Sequence, residues 1–91
     1  MAYQVIYHPE IKKDLDGIPQ NIKETIRRAI EERLVNDPEA ISQPLRRSLK
    51  GYRKLRVGDY RIIHKIQGNS IIILKIGNRK DVYNKIFSRV S

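Results

Sequence analysis

Three strand-like runs follow one another closely in the second half of the chain, and they constrain the fold more than any other feature. The runs are Tyr52–Val57, Tyr60–Ile66 and Ser70–Asn78, separated by Gly58-Asp59 and by Gln67-Gly68-Asn69. β-Branched and aromatic residues are frequent in the runs, whereas Gly, Asn and Asp dominate the short breaks, as they do in hairpin turns. The sequence therefore predicts a three-stranded antiparallel meander.

The residues that precede these runs predict a strand followed by a pair of helices. Tyr3–Tyr7 has the composition of a strand. Apolar residues at helical spacing then predict a short helix, which Gly17 and Pro19 end, and a second helix from Gln20 to about Asn36. The predicted apolar stripes consist of Ile11, Leu15 and Ile18 in the first helix and of Ile22, Ile26, Ala29, Ile30 and Leu34 in the second.

A connector and a short C-terminal helix complete the predicted fold. Residues 38–50 are predicted to be a connector in which Leu45 and Leu49 anchor a short turn. Together the elements predict a single α+β domain over residues 1–91, with an N-terminal strand, a helical hairpin, a three-stranded antiparallel meander and a C-terminal helix. The residues with the spacing of that last helix are Val82, Tyr83, Ile86, Phe87 and Val90.

Positive charge is concentrated in the half of the chain that contains the meander. Residues 46–91 hold thirteen Lys and Arg against two acidic residues, a net charge of +11, whereas residues 1–45 have a net charge of −2. Concentrated like charge costs stability through self-repulsion, and a polyanion is its usual partner. We therefore expect a nucleic acid or the ribosome as the partner, with charge that serves only solubility as the alternative.

The composition excludes several classes of site. The chain has no cysteine, which excludes disulfides, thiolate zinc sites and a cysteine nucleophile, and fits a cytoplasmic location. A signal-peptide pattern and an apolar run of membrane-spanning length are both absent, so no membrane association is expected. The acidic residues do not cluster, and His8 and His64 lie on separate predicted elements. No metal and no other cofactor is therefore predicted.

Strand alternation places much of the positive charge on one face of the predicted meander. With Gly58-Asp59 as a two-residue hairpin loop, Arg56 lies opposite Arg61 and Lys54 lies opposite Ile63. The inner face, which packs under the helices, then holds Leu55, Val57, Tyr60, Ile62, His64 and Ile66. The outer face, extended to the third strand and named here the basic face, holds Lys54, Arg56, Arg61, Lys75 and Arg79 around an apolar floor of Ile63 and Ile73.

The pairing of Arg56 with Arg61 is unfavourable for the sheet itself. Directly opposed like charges destabilise a strand pair by about 0.2–1 kcal/mol. Thr or Glu at one of the two positions would avoid that cost, so we interpret the basic face as functional. Long side chains that splay apart and bind nothing are the alternative interpretation.

Two motifs in this half of the chain resemble the RelE/ParE toxin superfamily. They are Arg56–Ile63 (RVGDYRII) and Ile76–Tyr83 (IGNRKDVY), with Leu49-Lys50-Gly51-Tyr52 ahead of them. The predicted strand and helical hairpin also match that fold, so the resemblance covers the full length and implies a RelE-like microbial RNase fold. RelE-type members are toxins of type II toxin–antitoxin pairs and metal-independent endoribonucleases that cut mRNA in the ribosomal A site. The resemblance therefore implies a cognate antitoxin, the ribosome and mRNA as partners, the antitoxin carrying acidic and amphipathic segments that cover the basic face or displace the C-terminal helix.

The resemblance also implies roles for individual residues. Arg61 and Arg79 match arginines that bind the phosphate and stabilise the transition state, and Lys54 matches a strand lysine with acid–base and phosphate roles. Tyr83 matches a tyrosine that positions or stacks on the substrate base. The predicted catalytic residues are thus Lys54, Arg61, Arg79 and Tyr83, and the predicted RNA-binding residues are Arg53, Arg56, Lys75 and Lys80.

The chain also departs from the family pattern. Tyr52 replaces a strand lysine of the best-known members, and Asn78 replaces a common histidine. Another branch uses a Glu–Arg–His arrangement, which is not expected here because Asn84 follows Tyr83 and no C-terminal histidine is present. The ParE branch, which poisons DNA gyrase and generally lacks the nuclease residues, is the alternative assignment, and a non-catalytic RNA- or ribosome-binding module is a third.

RNA cleavage through the 2′-hydroxyl requires a general base, a stabilised phosphorane and an acid for the 5′-oxygen. His64 is predicted to point into the core as a packed, satisfied histidine, and Asp59 has a turn role. Lys54 remains as the candidate base, since Arg56 and Arg61 favour its neutral form. A site without a strong base depends on substrate positioning, so we expect a weak free enzyme that the ribosome completes.

Overall fold

The computed structural model describes residues 3–45 and 51–89 and shows a five-stranded sheet with helices on one face. The strands lie in the order β1-β5-β4-β3-β2. They are β1 (Gln4–Tyr7), β2 (Gln43–Pro44), β3 (Tyr52–Val57), β4 (Tyr60–Gln67) and β5 (Ser70–Asn78). The last three form the predicted antiparallel meander, and the turn between β3 and β4 contains Gly58 at a φ of 58°, a left-handed conformation that glycine adopts without strain.

Helices occupy most of the chain between β1 and β2. The first, α1, spans Ile11–Leu15, and α2 spans Gln20–Arg28 and continues as a π-helical stretch, Ala29–Leu34. A short third helix, α3 (Pro38–Ile41), has its proline in the first turn, where the missing N–H costs no hydrogen bond. Within the described ranges no helix is long and apolar enough to cross a membrane.

The main core lies between the helices and one face of the sheet. Ile26, Ile30 and Leu34 are at most 1% exposed, so the predicted helical stripe is confirmed. Each fully buried aliphatic side chain of this kind contributes roughly 1.5–3 kcal/mol of transfer free energy. The core consists of Ile11, Ile18, Ile26, Ala29, Ile30, Leu34, Leu55, Ile62, Ile71, Ile73 and Ile76.

The α+β fold is confirmed, and two strand pairings add to it. β1 pairs with β5 in parallel, with Tyr7 opposite Ile73. A parallel pair requires a crossover connection, which the helices provide. β2 pairs antiparallel with β3, Gln43 lying opposite Lys54, within the region predicted as a connector. The predicted anchor Leu49 lies outside the described residues.

An irregularity in β5 changes which of its residues face the helices. Ile63 pairs with Lys75 and His64 pairs with Ile73, so Leu74 has no partner in β4. Strict alternation predicts Ile73 on the basic face, and that prediction is wrong because the extra residue reverses the alternation. Ile73 is fully buried in the main core instead.

The predicted C-terminal helix is only partly formed. Residues 79–85 form turns, and a short 3-10 helix, Ile86–Arg89, follows them. Lys85 has a φ of 58°, far from helical values, so a regular helix cannot run through it. Val82 and Ile86 are nevertheless buried, while Val90 lies outside the described residues. Residues 79–89 are called the C-terminal segment below.

Candidate functional site

The strand register aligns the side chains of the basic face in rows across three strands. In one row, Lys54 of β3 and Lys75 of β5 lie on either side of Ile63. In the next row, Arg56 lies directly opposite Arg61, as predicted. Neighbouring strands are about 4.8 Å apart, so cations two strands apart have their Cα atoms within about 10 Å. Such a density of cations suits a phosphodiester chain.

The guanidinium of Arg61 is anchored at the β3–β4 turn. Its Nη1 donates hydrogen bonds to the carbonyl oxygens of Gly58 and Tyr60, each at 2.9 Å. Within residues 3–45 and 51–89, Nε and Nη2 of Arg61 make no hydrogen bond. This part of the planar guanidinium therefore remains available to a phosphate.

Arg79 reaches the same turn through its backbone. Its N–H donates to the carbonyl oxygen of Asp59 at 2.8 Å, and its side chain is exposed. The chain then folds back across the sheet close to Gly77, where a Cβ atom would lie 3.4 Å from Val82. The absence of a side chain at Gly77 therefore leaves room for the C-terminal segment beside the Arg61 row.

The centre of the basic face is covered by the C-terminal segment. Ile63 is 0% exposed and packs with Val82 and Ile86, and Leu45 packs against the same cluster. The predicted open floor of Ile63 and Ile73 is therefore wrong, because the first is covered and the second faces the helices. Tyr83, which follows the buried Val82, is 38% exposed, so its ring is accessible at the surface.

Lys75 is directed towards the C-terminal segment. Its Nζ donates a hydrogen bond to the carbonyl oxygen of Asn84. Burial, followed by the nearby charge of Arg89, lowers the pKa of Lys75. The side chain predicted to contact RNA thus joins β5 to the chain that covers the basic face.

The other two predicted RNA-binding residues lie in different surroundings. Lys80 is exposed, and its N–H donates to Oδ1 of Asn78 at 3.0 Å. Arg53 pairs with His64 and so lies on the opposite face of the sheet from the basic residues. There its Nε donates to Oγ of Ser42 at 2.8 Å, and its Nη2 donates to the Ser42 carbonyl at 2.9 Å. This placement favours a role in holding β3 to the end of α3.

We expect Arg53→Gln to lower the free energy of unfolding by about 1 kcal/mol, the usual net contribution of such hydrogen bonds, and to leave RNA affinity unchanged. Urea unfolding and filter binding to a short RNA measure the two effects. Lys80→Gln removes the same charge from an exposed position, and it is expected to weaken RNA binding and to leave the free energy of unfolding unchanged. If Arg53→Gln weakened RNA binding and left stability unchanged, Arg53 would be an RNA-binding residue, as predicted from the sequence.

His64 is fully buried, as predicted, but only one of its ring nitrogens is paired. Nδ1 lies 3.0 Å from the carbonyl oxygen of Ile62, so Nδ1 carries the proton and donates it. Nε2 has no hydrogen-bond partner among the described residues, and the prediction of a fully satisfied histidine is wrong for that atom. Burial lowers the pKa of His64 to about 4. The neutral ring on the inner face is therefore not a candidate for the catalytic base.

A family model describing the ParE toxin of type II toxin–antitoxin systems matches residues 5–83. The chain belongs to the RelE/ParE family of type II toxins. Toxin RelG of Mycobacterium tuberculosis is 29% identical over 87 residues, which cover 93% of this chain and 100% of RelG. Toxin RelE3 of Methanocaldococcus jannaschii is 31% identical over 85 residues, 89% of this chain and 96% of RelE3. The crystal structure of the RelBE2 toxin–antitoxin complex from M. tuberculosis matches with a TM-score of 0.81 at 27% identity, covering 87% of this chain and 100% of the matched chain.

Asn78 and Tyr52, the two residues that depart from the RelE pattern, both make contacts within the fold. Oδ1 of Asn78 accepts the N–H of Lys80, and its carbonyl oxygen accepts the N–H of Val82 at 2.9 Å. Asn78 therefore shapes the turn that begins the C-terminal segment. The ring of Tyr52 lies 5.6 Å from Nζ of Lys65, a cation–π contact on the outer face of the sheet.

An ion pair outside the sequence predictions fixes the C-terminal segment of the toxin to α1. Nη2 of Arg89 donates to Oδ1 of Asp14 at 2.9 Å, and the two side chains are 9% and 8% exposed. The sequence carries one signal of this pair. Asp14 lies three residues after Ile11 and four before Ile18, which places a carboxylate within the apolar stripe of the first helix.

An apolar groove of about 540 Å³ lies on the helical side of the toxin. Its lining includes Ile11, Leu15, Ile26 and Ile30, and no residue of the basic face. Over the described parts of the chain, no three His, Asp or Glu residues are placed to hold a metal ion. The arrangement with the chemistry of a phosphate site is therefore the basic face with its C-terminal segment.

Proposed function

We propose that this toxin is a ribosome-dependent, metal-independent endoribonuclease that cuts mRNA and thereby stops translation. One observation carries the proposal: Lys54, Arg56 and Arg61 share one sheet face, and the backbone of Arg79 is bonded to the turn that anchors Arg61. Lys54, Arg61, Arg79 and Tyr83 are the residues that the family resemblance connects with cleavage. Their joint retention favours nuclease activity over a gyrase poison.

The proposed reaction uses the 2′-hydroxyl of the mRNA as the nucleophile. Lys54 accepts the hydroxyl proton, and the 2′-oxygen attacks the adjacent phosphorus. The bond from phosphorus to the 5′-oxygen breaks, which leaves a 2′,3′-cyclic phosphate, and the released 5′-oxygen takes a proton from water to become a 5′-hydroxyl while Lys54 returns its proton to the solvent. Arg61 and Arg79 stabilise the charge of the phosphorane, and Arg56 adds to the same field.

In this proposal the ribosome positions the mRNA for cleavage, which compensates for the lack of a strong general base in the toxin. Within the described part of the chain, the residues of the basic face include no carboxylate or histidine that could act as a strong base, and the ring of His64 is buried on the opposite face. Holding the 2′-oxygen in line with the phosphorus can contribute about 7–11 kcal/mol, more than a weak base contributes. We infer that mRNA held by the ribosome is presented in this geometry, with Tyr83 stacked on a base.

A cognate antitoxin is the proposed protein partner. The RelBE2 relative was solved as a toxin–antitoxin complex, which supports the same kind of partner here. The excess of positive charge on the basic face favours an antitoxin with acidic segments.

We expect the purified toxin to cut ribosome-bound mRNA and to leave naked mRNA and gyrase activity almost unchanged. Primer extension measures cleavage, and a DNA supercoiling assay measures gyrase. An mRNA with 2′-deoxyribose at the cleaved nucleotide should resist, because the nucleophile is missing, and added cognate antitoxin should stop cleavage. Gyrase inhibition with intact mRNA would assign the toxin to the gyrase-poison branch, and cutting of the 2′-deoxy substrate would exclude the proposed chemistry.

A further inference from the structure

The edge of β5 extends beyond the part that β1 covers. β1 ends at Tyr7, which lies opposite Ile73, whereas β5 continues to Asn78. On the side of β5 that faces away from β4, the backbone groups beyond Ile73 therefore need partners other than a strand. The backbone groups of Leu74 and Ile76 are bonded to the C-terminal segment and to α1, and the side chain of Lys75 is also bonded to the C-terminal segment.

The Asp14 carboxylate and the Arg89 guanidinium satisfy this edge and each other. Oδ2 of Asp14 accepts the N–H of Ile76 at 3.1 Å, and Nη1 of Arg89 donates to the carbonyl oxygen of Leu74 at 3.1 Å. Both guanidinium Nη atoms also donate to the two carboxylate oxygens of Asp14, which makes a bidentate pair. Lys75 adds the third attachment through the Asn84 carbonyl.

These bonds hold the part of the chain that carries Tyr83. Arg89 anchors one end of the C-terminal segment, and the Arg79 N–H, bonded to Asp59, anchors the other. Val82 and Ile86 pack on Ile63 between the two anchors. Among the described residues this cluster has three buried members, with Leu45 packed against them, whereas the main core has eleven, so packing contributes less to fixing the segment than it does in the main core.

We propose that Asp14 and Arg89 are positioning residues that hold the C-terminal segment, and with it Tyr83, in place over the basic face. The activity part of this inference depends on the proposed RNA cleavage, whereas the structural part does not. Both side chains are nearly buried, at 9% and 8% exposed, so the proposed role acts through the segment and not by contact with the mRNA. In Asp14→Asn the amide oxygen can still accept a hydrogen bond and Glu10 remains 3.9 Å from Nε of Arg89, so we expect this variant to fold.

We expect Asp14→Asn and Arg89→Gln each to lower kcat on ribosome-bound mRNA by about tenfold, with KM changed by less than about twofold, since displacement of a positioning group by a fraction of an ångström has effects of this size. The double variant should be no slower than the slower single variant, because the first substitution already breaks the pair. Arg89→Lys keeps the charge without the bidentate contact and should fall between wild type and Arg89→Gln. Lys13→Gln, on the same helix with an exposed side chain, is the matched control and should match wild type.

Hydrogen exchange separates positioning from general stability. In both variants the amides of Val82 and Asn84 should exchange about tenfold faster, while the amide of Ile62 in the central strand should be unchanged. Wild-type kcat and wild-type protection at these two amides would overturn the proposal, as would faster exchange throughout the chain with an activity loss that matches the unfolded fraction. If the wild-type toxin itself does not cut mRNA, the proposed function fails, and the exchange measurement still decides whether the pair holds the segment.

Discussion

Replacing Arg61 with alanine is expected to slow cleavage of ribosome-bound mRNA on the order of 100- to 1,000-fold, the usual cost of losing one donor to a developing negative charge. Arg61 is fixed by Gly58 and Tyr60 with part of its guanidinium still available, so it needs little rearrangement to bind a phosphorane. Cleavage rates under single-turnover conditions on programmed ribosomes measure the effect.

The stability of the Arg61→Ala variant is expected to stay close to that of wild type. The substitution removes two partly exposed hydrogen bonds, and it also removes the repulsion between Arg61 and Arg56. These effects oppose each other, so the free energy of unfolding should change by less than about 0.5 kcal/mol. Urea unfolding monitored by circular dichroism checks this expectation.

Two further variants make the Arg61 result specific. Arg33→Ala removes the same charge from an exposed helical position away from the basic face, and it should retain full activity. Arg61→Lys retains the charge without the planar fork and should recover only part of the rate. Full toxicity of Arg61→Ala in cells, at wild-type protein levels, would contradict the assignment of the basic face as the catalytic site.

Lowering the pH from 7.5 to 5 is expected to cost about 2 kcal/mol of stability through His64 alone. Burial lowers the pKa of His64 to about 4 from an unperturbed value of 6.5, so the unfolded chain binds a proton between these values and the folded chain does not. The contribution of neutral His64 is fully present above pH 6.5. It declines as the pH falls towards 4.

Urea unfolding at several pH values and constant ionic strength measures this dependence. His64→Leu, of similar volume and without a titrating group, should flatten the curve between pH 7.5 and 5. Equal slopes for wild type and His64→Leu would show that the buried ring does not control acid stability.

Turn residues and strand alternation were sufficient to predict the meander and the placement of much of the basic face. β3 has the predicted bounds, and the two-residue turn at Gly58-Asp59 fixes the register that places Arg56 opposite Arg61. Period-2 alternation then places Lys54 and Arg61 on the same face, because no irregularity interrupts β3 or this end of β4. Short-range geometry thus predicts residues that lie close together in the chain.

Alternation failed where a single residue changed the phase of a strand. Leu74 is unpaired with β4, which moved Ile73 from the predicted outer surface to the main core. The irregularity falls in a run of four apolar residues, Ile71–Leu74. Since any of these residues suits either face of the sheet, the sequence shows no sign that the alternation is interrupted there. The choice is made by packing against the helices and by the neighbouring strands.

By itself, the sequence of this toxin determined the meander, the helical stripes and the charge of the surface that the meander presents. These depend on periodicity and on turns of two or three residues, which are local properties. Only the tertiary structure decided that the C-terminal segment lies across this surface, that Ile63 is covered and that Arg89 meets Asp14. Those contacts join residues up to 75 positions apart, and their free energy depends on the burial and edge-strand geometry that exist only once the sheet and helices have assembled.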